Sequence, residues 1–378
     1  MGNPASGRRG DRAPEPARLW AGVDGRRSAS SSVTADRAEV KGRHMATFVP
    51  GVENFVVEEI QAYLPVGIGE HTFCWIEKRD LTTHEAIRRL GRALGVNDRD
   101  IGYAGLKDRH ATTRQWLSVP GVSAETASAA VVDGLRVLEA KPHGNKLRMG
   151  HLKGNRFEVI LSEVGPGETE RLQEQLTALA RDGLPNKFGD QRFGRDGDNV
   201  ETALAVLRRQ RREPDRRKRE LLFSALQSAV FNRALELRAN GGGLLLLRAG
   251  DVLKKTETGG LFVTSDLETD AARVAAGEVV PTGPMPGNRE IEPPEGTAAR
   301  ALEDEALAAV GVGRDELAAL GRNLPGARRP VVVPLGLGTP PCEVLDAGEK
   351  VRLRFGLPSG SYATVLLETL GVQTRRAS

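Results

Sequence analysis

Fifteen residues, Gly102 to Trp116, constrain this chain more than any others. They read Gly-Tyr-Ala-Gly-Leu-Lys-Asp-Arg-His-Ala-Thr-Thr-Arg-Gln-Trp. Gly102 and Gly105 suit a turn. The run from Gln115 to Val119 has the aromatic and β-branched content of a strand. The segment therefore predicts a loop feeding a strand, with Asp108 between two cations, Lys107 and Arg109. Nearby positive charge favours the ionised form of a carboxylate. An ionised Asp on such a loop suits a nucleophile or base that faces a polyanion. Taken alone, the triplet fits a solvated surface turn better. The remainder of the chain shifts that balance.

Short strands and amphipathic helices surround this loop. Phe55 to Ile60, Thr72 to Ile76, Leu135 to Ala140 and Arg156 to Leu161 read as strands. Thr82 or Thr83 caps a helix to about Leu94, with Ile87, Leu90 and Leu94 on one face. Residues 168–181 form a second amphipathic helix, closed by Gly183 and Pro185. A glycine-punctuated loop, Asn186 to Arg195, carries two exposed-looking aromatics, Phe188 and Phe193. Residues 208–220 hold eight Lys/Arg against three Asp/Glu, and a long helix to about Asn240 follows. The mixture predicts an α+β layered fold.

Composition limits the partners. The net charge of +4 resides in residues 1–44, with nine Lys/Arg and five Asp/Glu, so residues 45–378 balance to zero. Any nucleic-acid reading must rest on local patches. Residues 1–44 lack apolar periodicity and read as a disordered extension. No apolar run approaches the ~18 residues of a membrane helix, and a cytoplasmic location is expected. Cys74 and Cys342 read as reduced thiols, and the six histidines lack zinc-site spacing, so no metal is expected. No Gly-x-Gly-x-x-Gly follows a strand. Ser359 and Ser361 have no nearby His.

Five blocks form a set. They are Glu53-Asn54-Phe55-Val56-Val57-Glu58, Ala104 to Trp116, Asn186 to Gly194, Lys218 through Asn232, and Phe355 to Thr364. In order and rough spacing they resemble the tRNA pseudouridine synthase D (TruD) family, over about residues 45–372. The Asp108 and Phe188 blocks carry most of the specificity. The resemblance implies conversion of uridine to pseudouridine in tRNA, usually at position 13, without cofactor. A monomer with no DNA or membrane partner is expected. The resemblance also implies a catalytic domain with a central, mostly antiparallel sheet over 45–211 and 332–378, interrupted by an inserted α+β domain at 212–331.

Under that resemblance Asp108 is the catalytic carboxylate, and Phe188 stacks on a flipped uracil. Asn186 holds the loop or the base edge. Lys107, Arg109, Gln191 and Arg192 complete the substrate-binding set, with Arg192 and Arg195 as phosphate contacts. Each also has a plainer reading: core Phe, turn Asn, solvated Arg. The family's Lys ahead of the Phe55 block has no counterpart in Phe48 to Val52, so the basic partner of Asp108 is unassigned. Two other functions fit the same blocks: a synthase for another RNA site, and a non-catalytic RNA-binding protein or chaperone.

Overall fold

The computed structural model describes residues 46–194 and 196–375. The expected extension at 1–44 and the expected phosphate contact Arg195 lie outside the described residues.

The sheet that positions the Asp108 loop has eight strands. In chain order they are β1 (Phe55–Gln61), β2 (His71–Arg79), β3 (Gly102–Tyr103), β4 (Thr112–Pro120), β5 (Leu135–His143) and β6 (Leu152–Leu161). Four strands of a smaller sheet come next: β7 (Val252–Lys255), β8 (Leu261–Val263), β9 (Val279–Met285) and β10 (Ala327–Pro330). The chain then returns to the large sheet with β11 (Gly336–Leu345) and β12 (Lys350–Pro358). The large sheet is ordered β11-β12-β6-β1-β4-β2-β5, with β3 beside β4. All neighbours run antiparallel except β1 and β4. The expected α+β fold with a mostly antiparallel sheet is what forms.

Side chains alternate between faces along a strand, and this sheet uses the rule to build two unlike surfaces. On one face lie Cys74, Ile76 and Leu117 towards one side and Phe157, Val159, Leu353 and Phe355 towards the other. Helix α1 (Thr83–Leu94) covers the first group through Ala86, Ile87 and Leu90. Thr82 caps it by accepting from the Glu85 N–H, and Glu85 answers from its side chain, the reciprocal capping box. Helix α2 (Glu168–Asp182), through Leu172 and Leu176, and the C-terminal segment cover the second group. The opposite face carries charge. Arg114 lies between Glu77 at 2.9 Å and Glu58 at 3.4 Å, and Arg156 reaches Glu58 at 3.0 Å. Beside this ladder, Trp75 and Trp116 pack at 5.3 Å. Trp116 is buried, as expected for a core residue.

A second body packs around α4 (Arg216–Asn240), flanked by α3 (Asn199–Leu207) and α5 (Ala298–Val310). Leu222, Leu226 and Val230 of α4 meet Ala203 and Leu307 in one apolar cluster. The small sheet, ordered β8-β7-β9-β10, completes it. Arg328 is enclosed there with Glu290 at 3.1 Å and Glu303 at 2.6 Å. Residues 298–318 form two helices, α5 and Arg314–Ala318. Gly311, in the left-handed region at φ 79°, ends the first, as glycine does at helix C-termini.

Candidate active site

The two apolar clusters under α1 and α2 do not meet. Along the sheet face between them lie Lys78, Thr113, Gln115, Glu59 and Asn155, in phase with the core residues of their own strands. β1 and β4 pair only from Val56 to Glu58 and from Thr112 to Arg114. Beyond that point the strands diverge, and the Asp108 loop enters the gap.

Ala104 and Ala111 bury the two ends of this loop in apolar clusters, and the contacts that fix its middle are polar. The Gln115 amide donates to the Gly105 carbonyl at 3.2 Å and accepts from Thr83 Oγ1 at 3.1 Å. Thr83 Oγ1 accepts in turn from the Lys107 N–H at 2.9 Å. The Lys107 ammonium turns inward and meets Glu59 at 3.1 Å, with both side chains at most 3 % exposed. Burial pushes the Glu59 carboxyl up, and Lys107 pulls it back only in part. From the other side, the buried Lys78 ammonium donates to the Leu81 carbonyl and, at 2.8 Å, to the carbonyl of Asp108. Lys78 has no carboxylate within ion-pair distance among the described residues. Burial draws it down to about 8, against the opposing pull of the Asp108 charge. The Asp108 residue itself stays exposed. Thr113 Oγ1 and Asn155 Oδ1, both in this seam, are buried without a hydrogen-bond partner among the described residues.

The second loop, Asn186 to Gly194, is held differently. Asn232 of α4 clamps the Phe188 backbone, accepting from its N–H at 2.8 Å and donating to its carbonyl at 2.9 Å. The Phe188 ring meets Phe231 edge-on at 5.7 Å. The Arg329 guanidinium of β10 lies over the same ring, 4.1 Å from its centre. Arg329 also donates to the Asn186 carbonyl at 3.0 Å, to the Asn186 side-chain oxygen and to the Gly360 carbonyl at 3.2 Å. The Asn186 amide reaches the Pro330 carbonyl at 2.9 Å.

The register relates the two loops. Glu59, Asn155 and Leu357 form one row across β1, β6 and β12. Two interstrand spacings give about 10 Å from Glu59 to Leu357. Lys107 holds one end of that row, and Gly360, three residues past Leu357, receives Arg329 beyond the other.

Several expectations change. Lys107, expected to contact substrate, is enclosed because Glu59 needs a buried cation. Phe188, read as exposed, is only 7 % exposed because Phe231 and Arg329 cover it. Asn186 is buried and already bonded. Arg109 is exposed, 3.5 Å from Asp80, and Gln191 is exposed. Arg192 binds Ser228 Oγ at 3.2 Å and Ser224 Oγ. The basic run is partly spent on internal contacts: Arg208 with Glu316, Arg216 with Glu220 and Lys218 with Glu213.

Two residues escaped the sequence reading. Lys78 had a signal, since it continues the Thr72, Cys74, Ile76 alternation at the end of β2. Arg329 had none, because its partners are 143 and 31 residues away.

Known proteins share this sequence and this fold. The family model described as tRNA pseudouridine synthase D (TruD) matches residues 47–214 and 198–370. A tRNA pseudouridine synthase D of Anaeromyxobacter sp. (strain Fw109-5) is 44 % identical over 84 % of this chain and 90 % of its own length. One from Thermus thermophilus is 40 % identical over 83 % and 85 %. Among solved structures, a Methanosarcina mazei protein described under the same family name superposes with a TM-score of 0.69. It is 24 % identical and covers 87 % of this chain and 94 % of that one. No helix among the described residues is long and apolar enough to cross a membrane.

Proposed function

The chain belongs to the tRNA pseudouridine synthase D family, and we propose from that membership that it converts uridine to pseudouridine in tRNA. The observation that carries the reading is Asp108. Its backbone and its neighbours are fixed by buried polar contacts, while the residue itself remains exposed. Preorganisation of this kind suits a group that must meet reacting atoms.

The reaction breaks the bond between uracil N1 and ribose C1′, rotates the base, and joins C5 to C1′. The C5 proton leaves and N1 gains one, so no redox partner enters. We assign Asp108 to the ribose–uracil bond. The uridine must leave its stack to arrive there. Phe188 then serves as the aromatic layer for the flipped base, with Asn186 fixing the loop. Arg109, Gln191 and Arg192 remain at the surface for RNA, and Lys107 acts indirectly by locking the loop to Glu59. We take position 13 of tRNA as the target and a monomer in the cytoplasm as the working form. The catalytic body is taken as 45–211 with 332–378 and the inserted body as 212–331, with α3 of the first packing on α4 of the second.

The test uses unmodified tRNA tritiated at uracil C5, with chelator and no added cofactor. Wild type should release tritium and Asp108→Asn should not. Mapping the product then tests position 13. Intact tRNA binding without tritium release would overturn the catalytic reading.

A further inference from the structure

Arg329 is half-buried, yet no carboxylate lies within ion-pair distance of it among the described residues. Its neighbour Arg192 likewise has no acid there and is held only by two serine hydroxyls. Both guanidinium groups approach one ring, with Arg329 at 4.1 Å and Arg192 at 5.5 Å from the centre of Phe188. In each, Nη1 makes no hydrogen bond to a described residue. Elsewhere in the molecule the enclosed arginines have acids: Arg238 has Asp251 at 2.6 Å, and Arg328 has two glutamates. Two adjacent cations without a counter-charge repel each other. Burial, together with Arg192, draws Arg329 down to about 10. An incoming anion would relieve both costs, since paired guanidinium groups match the oxygens of a phosphate.

We propose that Arg192 and Arg329 form a phosphate-binding site that takes the RNA phosphodiester next to the flipped uridine. The proposal rests on the function above and adds a site to it. Arg329 also bonds Asn186 and Gly360, so phosphate capture is transmitted to the loop that carries Phe188. Binding of the backbone and release of the ring for stacking become one event.

Affinity for unmodified tRNA is measured over a range of salt, in an Asp108→Asn background that prevents turnover. Each lost phosphate contact should lower the slope of log affinity against log salt by roughly one. Arg192→Gln and Arg329→Gln should each show this loss. Arg329→Lys should keep the slope because it keeps the charge. A tRNA with a neutral methylphosphonate beside the target uridine should bind the Asp108→Asn protein more weakly, and adding Arg192→Gln should make that loss smaller. Arg192→Gln removes two hydroxyl contacts and the distant ring contact but leaves the Arg329 bonds to Asn186 and Gly360 in place, so it guards against a folding defect in Arg329→Gln. Unchanged slopes in both glutamine variants, with melting temperatures preserved, would overturn the site. Failure of the synthase reading is distinguishable, because absence of tritium release by wild type leaves the slopes unaffected.

Discussion

The Asp108 and Phe188 loops lie at the two ends of one row of the sheet, and they are secured by opposite means. The Asp108 loop is fixed by groups that avoid its carboxylate: Thr83, Gln115, Lys78, and Lys107 through Glu59. The Phe188 loop is clamped along its backbone by Asn232, and a guanidinium lies on the very ring expected to meet the base. The first is ready before substrate arrives. On the role proposed for Phe188, the second has to rearrange. The contrast teaches that exposure alone does not pick out the residues proposed to act here. Asp108 is exposed and Phe188 is 7 % exposed, yet both lie within residues 47–214, which the family model matches.

The contrast can be broken most severely at Asp108. Asp108→Asn should lower tritium release at least ~10³-fold, as loss of a reacting acid or base does, while the melting temperature stays put. A large thermal shift would mean that the residue is part of the anchoring. Next, Lys107→Met should destabilise the protein by about 3–5 kcal/mol in denaturant titration, because it strands a buried glutamate. Lys107→Met with Glu59→Leu should recover much of that loss. If the single variant is neutral, the loop is not held from beneath.

Phe188→Ala sharpens the other end. Stacking is worth ~1–3 kcal/mol per base, so kcat/KM should fall by roughly five- to 150-fold, less than for Asp108→Asn. Lys78 supplies a pH test. Its ammonium titrates at about 8 in the folded protein, against 10.5 for an unperturbed lysine. Between those values the unfolded chain holds a proton that the folded chain lacks, so stability should rise with pH across that window. Lys78→Met should remove that part of the slope. The smallest effect is expected on the open face, where Glu58 pairs with Arg114 and Arg156. Glu58→Gln should cost under about 1 kcal/mol and leave kcat unchanged.

Local pattern and long-range closure divide what the sequence makes legible. The core strands and α1 are visible because alternation and a capping box are local signals. Lys78 was open to the same logic, since a lysine in phase with Cys74 and Ile76 is a buried lysine. The inward turn of Lys107 was not, because it depends on Glu59, 48 residues earlier. The covering of Phe188 depends on Arg329, which a strand of the second body delivers. Pairings between distant segments leave no period to read.

The order of strands has a consequence for how the chain is made. β12 inserts between β6 and β11, so the edge of β6 away from β1 waits for its partner from residue 161 until residue 350, an interval of 189 residues. At synthesis rates of about 5–20 residues per second, that wait lasts roughly 10–40 s. Through that time one edge of β6 presents unpaired backbone groups, the kind of edge that recruits foreign strands. The nascent chain is thus most exposed to misassembly after the Asp108 loop has emerged and before its neighbouring strand is closed. A chain ended before residue 350 would leave that edge open for good.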